Sequence, residues 1–135
     1  MTSPHAPTAS SANRAAADRY LTERVMTASP AELTAMLFDA CVGALKAAAR
    51  LQEAGEHTVA GQRLLKAQDI VLELRSTLNP AAGALTTQLD ALYTYAFGQL
   101  VTANVRRDRA ATLEALTVIE PLQAAWRTSC CTLAA

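Results

Sequence analysis

The chain is poor in the residues that most chemistry and most β-structure require. It has two histidines and three cysteines among 135 residues, too few and too scattered for a metal cluster or a disulfide framework. His5 lies in the N-terminal stretch and His57 begins a helical one. Cys41 sits inside a helical stretch, and Cys130 and Cys131 are adjacent with no histidine nearby. Reduced thiols are the expectation for such a set in a reducing compartment. Glycine and proline number five each, and no glycine-rich phosphate loop occurs. The helical carboxylates Asp39, Asp69 and Glu73 lack the Glu-x-x-His partners that a carboxylate-bridged metal bundle needs. Ser29 has no histidine base near it in sequence, so a helix cap explains it better than a nucleophile. Neither an enzyme nor a cofactor is expected.

One-signed charge is also missing. Twelve basic and twelve acidic residues cancel, which leaves no electrostatic footprint for nucleic acid or an anionic membrane. No apolar run is long enough to span a bilayer, because Lys46, Arg50, Asp69 and Arg106 interrupt the candidates. The N-terminus does not follow the charged-then-apolar pattern of a signal peptide, so a cytosolic location is expected.

What is abundant is alanine and leucine, which favour helix and outnumber the valine and isoleucine that favour strands. Apolar residues make up 51% of the chain and charged residues 18%, a globular balance that leaves room for an exposed apolar face. Residues 1–13 are small, polar and proline-bearing, and read as a disordered arm ahead of one domain over 14–135. A short helix is expected over Arg14–Val25.

Ser29-Pro30-Ala31-Glu32 is the clearest local signal, with a serine cap, a proline at the first helical position and a glutamate to close a capping box. The helix after it carries Leu33, Leu37, Cys41, Leu45, Ala48 and Leu51 on one seam and ends near Ala54-Gly55. A second helix over His57–Leu78 repeats Leu64, Ala67, Val71, Leu74 and Leu78 at threes and fours, until Asn79-Pro80 stops it.

The helix over Leu85–Arg107 shows two apolar stripes, Leu85, Leu89, Leu92, Ala96, Ala103 and Tyr93, Phe97, Leu100 ending at Asn104. A helix apolar on two sides sits mid-core or offers one side to a partner. Asp108 is placed to cap a last helix over Arg109–Ser129, with Leu113, Leu116, Ile119, Leu122 and Trp126 on its seam. Pro121 inside it predicts a kink near Thr117 or a new segment. The expected fold is all-α, an antiparallel up-down four-helix bundle with a short N-terminal helix.

Six elements in order resemble the flagellar export chaperone family, FliS. They are Tyr20 with Val25 and Thr27-Ala28-Ser29-Pro30; Leu33 with Met36-Leu37-Phe38-Asp39; Lys66-Ala67-Gln68-Asp69-Ile70 with Leu74; Leu78-Asn79 with Gly83; Leu89 with Leu92-Tyr93-Thr94-Tyr95; and Ala103-Asn104 with Asp108. Trp126 falls where the family ends in a tryptophan, so the likeness runs from about residue 20 to 127. Phe38, Thr94, Ala96 and Pro121 depart from the usual pattern.

The resemblance implies a cytosolic chaperone that binds the C-terminal segment of flagellin, prevents its premature polymerisation and meets the flagellar export gate. The residues it nominates for partner binding are Tyr20, Val25, Thr27, Ser29, Pro30, Leu37, Phe38, Tyr93, Phe97, Leu100, Asn104 and Asp108. The surplus apolar faces expected to carry the client lie on the helices after Ser29 and after Gly83, and the Tyr20–Val25 arm is expected to fill a groove when the client is absent. Two alternatives stay open: a regulatory module with a different protein client, and a self-associating structural bundle such as a homodimer.

Overall fold

The computed structural model describes residues 9–134, with side-chain surroundings for residues 11–129. The arm expected over residues 1–13 therefore lies partly outside the described residues, as do His5 and the side chains of Cys130 and Cys131. Five α-helices make up the rest: α1 Ala9–Thr27, α2 Pro30–Glu53, α3 His57–Ser76, α4 Ala84–Val105 and α5 Arg109–Ala134, with a 3-10 turn at Pro80–Ala82. The helix start at Ala9 corrects the expected arm boundary, since Ala9–Asn13 belong to α1. By contacts the chain divides into two compact units, Met1–Leu33 and Thr34–Ala135.

In the first unit, α1 is a polar helix whose large apolar side chains, Tyr20, Leu21, Val25 and Met26, are all exposed. Thr27 donates its hydroxyl back to the Glu23 carbonyl and ends the helix. The Ser29 hydroxyl then accepts the Glu32 amide at 3.2 Å, and Pro30 takes the first helical position of α2.

In the second unit the helix ends are closed by local chemistry. At the end of α2, Gly55 adopts φ 77°, and the Glu56 and Gly55 amides return to the Leu51 and Gln52 carbonyls. This double return satisfies carbonyls that the helix end would orphan. Asn79 caps the 3-10 turn by accepting the Ala81 amide, and Gly83 at φ 64° lets α4 begin. Asp108 accepts the Ala111 amide and starts α5, while Arg107 takes the left-handed conformation at φ 51°.

Side-chain pairs fix the helix directions. Arg75 pairs with Asp90, and Gly61 lies against Asn104, so α3 and α4 are antiparallel. Tyr95 donates to Glu114, making α4 and α5 antiparallel. Asp39 meets Gln123 and Arg127, whereas Arg109 meets the Ala49 carbonyl, so α2 and α5 are antiparallel too. The order is up-down-up-down. Pro121 leaves α5 as one helix from Arg109 to Ala134, so the expected new segment is not present. Pro121 is exposed, which puts its ring on the outer side of the helix, away from the packed seam.

The core joins all four helices through Phe38, Cys41, Leu45, Leu64, Val71, Leu74, Tyr93, Leu100, Ala115 and Ile119, with many alanines between them. Small residues let the axes approach closely while the leucines interdigitate. A polar knot crosses this core at one end. Thr112, fully buried, donates to the Gln52 side-chain carbonyl at 2.8 Å, and the Gln52 amide reaches the Ala103 carbonyl at 3.5 Å. Arg109 adds a bond to the Ala49 carbonyl and an ion pair with Glu53. Three helices, α2, α4 and α5, are thereby held in one register.

Candidate client-binding surface

The sequence-nominated residues separate into four groups. Ser29, Pro30 and Asp108 are helix starts, where Ser29 and Asp108 satisfy amides that would otherwise be orphaned. Tyr20, Val25 and Thr27 are exposed on α1, with the Arg24 guanidinium 5.9 Å from the Tyr20 ring centre. Phe38, Tyr93 and Leu100 are corrected to core residues: they are 2%, 4% and 0% exposed, too enclosed to present a face to a partner. Leu37, Phe97 and Asn104 are partly exposed.

The reason for the correction lies in the phase of α4. Its buried stripe is Tyr93, Ala96, Leu100 and Ala103, which mixes members of both stripes expected from sequence. Leu85, Leu92, Tyr95, Val101 and Val105 are left outside. The surplus expected on α2 is absent, since Leu37 packs against the core and Phe38 lies between the Tyr93 ring at 6.5 Å and the Trp126 ring at 6.2 Å. Burial pushes the Cys41 thiol up to about 12 and, with Cys41 beside it, the Tyr93 phenol up to about 12. Both groups are neutral parts of the core.

Exposed apolar side chains lie along the seam of α3 and α4, as well as on α1 and elsewhere on α4. The Arg75–Asp90 pair marks one end and the Gly61–Asn104 contact the other. Between them α3 presents Leu65, Gln68 and Leu72, at successive spacings of three and four, with Leu65 and Leu72 exposed. Facing these, α4 presents Thr94, Phe97 and Val101 at the same spacings. Residues so spaced share a helix face. The result is a groove about 21 Å long at 1.5 Å per residue along α4, enough for about four turns of a docked helix.

At the Asp90 end the groove opens into a depression of about 590 Å³ lined by Leu72, Leu78, Pro80, Thr86 and Thr87. The periodicity of α3 leaves Leu65 and Leu72 off its seam, but only the phase of α3 against α4 places them beside α4.

Among the described residues, no three metal-ligating side chains converge, and no helix is long and apolar enough to cross a membrane. The chain's relatives are flagellar proteins. Residues 12–132 match the family described as flagellar protein FliS. The chain is 33% identical over 108 residues to the flagellar secretion chaperone FliS of Bacillus subtilis, covering 80% of each chain. Its counterpart in Salmonella typhimurium is 35% identical over 105 residues, covering 76% of this chain and 78% of that one. A crystal structure of a bacterial flagellar chaperone aligns with a TM-score of 0.67 at 24% identity, over 87% of this chain and 96% of the other, a likeness of fold.

Proposed function

The chain belongs to the FliS family of flagellar chaperones, and from that membership we propose that it binds the C-terminal segment of flagellin in the cytosol, keeps it from polymerising prematurely and delivers it to the flagellar export apparatus. The relatives' name, flagellar secretion chaperone, supports an export role rather than catalysis. The observation that carries the client reading is the α3–α4 groove, where Leu65, Leu72 and Val101 stay exposed beside the partly exposed Phe97. An amphipathic segment with an uncovered apolar face is a polymerisation hazard, and a groove of this kind covers such a face in helix-in-groove fashion. The client loses conformational entropy on docking, so the complex can be specific and still release. No nucleotide hydrolysis is needed.

Tyr20 and Val25, with Thr27 beside them, form a second client contact on α1 in this reading. The test is a calorimetric titration with a synthetic peptide of the flagellin C-terminal segment. Binding in the micromolar range or tighter is expected, weakened by L72D or V101D in the groove. A wild-type protein that gives no heat and no affinity better than about 100 μM, equivalent to about 5–6 kcal/mol, overturns the reading.

A further inference from the structure

Twelve basic and twelve acidic residues cancel over the whole chain, but they do not cancel at each end of the four-helix unit. Arginines gather at the end where α2 and α4 finish and α3 and α5 begin. Arg50 lies in the last turn of α2, Arg106 and Arg107 stand in the α4–α5 turn, and Arg63 is in the second turn of α3. All four are exposed, and among the described residues none makes an ion pair. The carboxylates nearby are mostly engaged. Glu53 pairs with Arg109 at 3.3 Å, and Asp108 is half-buried and accepts the Ala111 amide. Among the described residues at this end, Glu56 is left to offset the four cations. Two helices end and two begin here, so their dipoles oppose one another and the side chains set the potential. The opposite half holds the balance, with Asp39, Asp69, Glu73, Asp90 and Glu120 against Arg75 and Arg127.

Apolar side chains share the basic end. Val105, the last residue of α4, is 77% exposed, and Val59, in the first turn of α3, is 41% exposed. The Gly61–Asn104 contact and the Arg75–Asp90 pair lie in one antiparallel register, which sets Val59 level with Arg106. Val59 and Arg63 are four apart and share a helix face. Arg107 takes φ 51°, a conformation that at a helix end favours glycine, yet a cation is held there. Long arginine stems around exposed valines suit a surface that is anionic outside, apolar just beneath, and fluid enough to need no matching shape. We propose that this end of the bundle docks on an anionic lipid surface, with Arg50, Arg63, Arg106 and Arg107 on the phosphate headgroups and Val59 and Val105 just below them. A nucleic acid would use the arginines but not the valines, and no Phe, Tyr or Trp lies in these end turns to stack its bases. The contact is peripheral, since no helix among the described residues is long and apolar enough to cross a membrane. Docked end-on, the unit keeps its sides in water and points its acidic half away from the like-charged surface. The proposal does not depend on what the α3–α4 groove holds.

The experiment is flotation of the full chain with vesicles of equal parts phosphatidylglycerol and phosphatidylcholine, and with vesicles of phosphatidylcholine alone, alongside a thermal melt of each protein. The wild type should float with the anionic vesicles at about 50 mM salt, be released at about 500 mM, where the screening length shrinks to about 4 Å, and ignore the neutral ones. A basic residue near such a surface contributes about fivefold in partition, so R107G should lose about that much without a lower melting temperature. R106E/R107E reverses two charges and should lose at least about tenfold with the fold intact. V105S should weaken binding by a smaller factor, and E73K in the acidic half should not weaken it. A wild-type protein that does not float with anionic vesicles at low salt, or floats equally with neutral ones, overturns the proposal. So does an R106E/R107E protein that partitions like wild type. V105S at wild-type affinity overturns the apolar contact. Arginine-dependent binding to a labelled single-stranded RNA without flotation would make this end a nucleic-acid site and overturn the lipid assignment.

Discussion

The polar knot at the end of the bundle lends itself to a worked perturbation. Thr112→Val is nearly isosteric, and it replaces the hydroxyl that donates to the Gln52 carbonyl at 2.8 Å. Gln52 is 7% exposed, so its oxygen loses its partner where water has little access. A buried acceptor left unpaired costs about 1–3 kcal/mol, and the added methyl returns about 0.8 kcal/mol. The net loss is therefore about 0.2–2 kcal/mol, up to several degrees in melting temperature for a chain of this size.

Gln52→Leu alone should also destabilise, because the Thr112 hydroxyl and the Ala103 carbonyl lose their side-chain partner. The double replacement removes both halves and fills the space with apolar atoms, so it should be less damaging than the sum by about 1 kcal/mol or more. Urea unfolding of the four proteins measures this cycle. Strict additivity, or a Thr112→Val protein as stable as wild type, would refute the view that the three helices are held in register here.

Three further outcomes follow from the described contacts. Cys41 is pushed from 9.0 to about 12 by burial, so its unfolded form loses a proton above pH 9 while the folded form keeps it. Stability should thus fall as pH rises between about 9 and 12, by at most about 1.4 kcal/mol per pH unit from this thiol; Cys41→Ala should flatten the slope of chemical-denaturation stability against pH, and an unchanged slope would contradict the assignment. Arg107 sits at φ 51°, where a side chain costs about 1 kcal/mol, so Arg107→Gly should raise the urea midpoint slightly; a lowered midpoint would show that its side chain matters more than its backbone. Pro121 lies inside α5 without an amide to give, so Pro121→Ala should stabilise by about 1–3 kcal/mol and slow hydrogen exchange beyond Thr117, whereas no change would mean that the helix has already absorbed the proline.

Much of the bundle was legible because its signals are local. Ser29-Pro30 starts α2, Gly55 ends it, Asn79-Pro80 stops α3 and Asp108 starts α5, each by satisfying backbone groups within a few residues. The binding surface was less legible because it depends on the phase between helices. On α4 the leucines and aromatics surround the axis, and periodicity alone cannot say that Tyr93 and Leu100 turn inward while Val101 turns out. On α3 the seam of Leu64, Val71 and Leu74 was readable, but Leu65 and Leu72, one residue further along, looked like ordinary filler. Gln52 and Gly61 were invisible for a related reason: their partners, Thr112 and Asn104, are far away in sequence. The early start of α1 at Ala9 was not legible, because Ala9–Asn13 reads Ala-Ser-Ser-Ala-Asn and the alanine run begins only at Ala15.

The central claim is that the exposed apolar groove of α3 and α4 covers the C-terminal segment of flagellin. Titrating the synthetic segment into wild-type protein and into a Leu65→Asp/Leu72→Asp double variant tests it most directly, since both leucines are exposed and neither supports the core. The account predicts micromolar or tighter binding for the wild type, at least a tenfold loss for the variant, and the same melting temperature for both free proteins. Equal affinity for the two proteins would place the client elsewhere and contradict it.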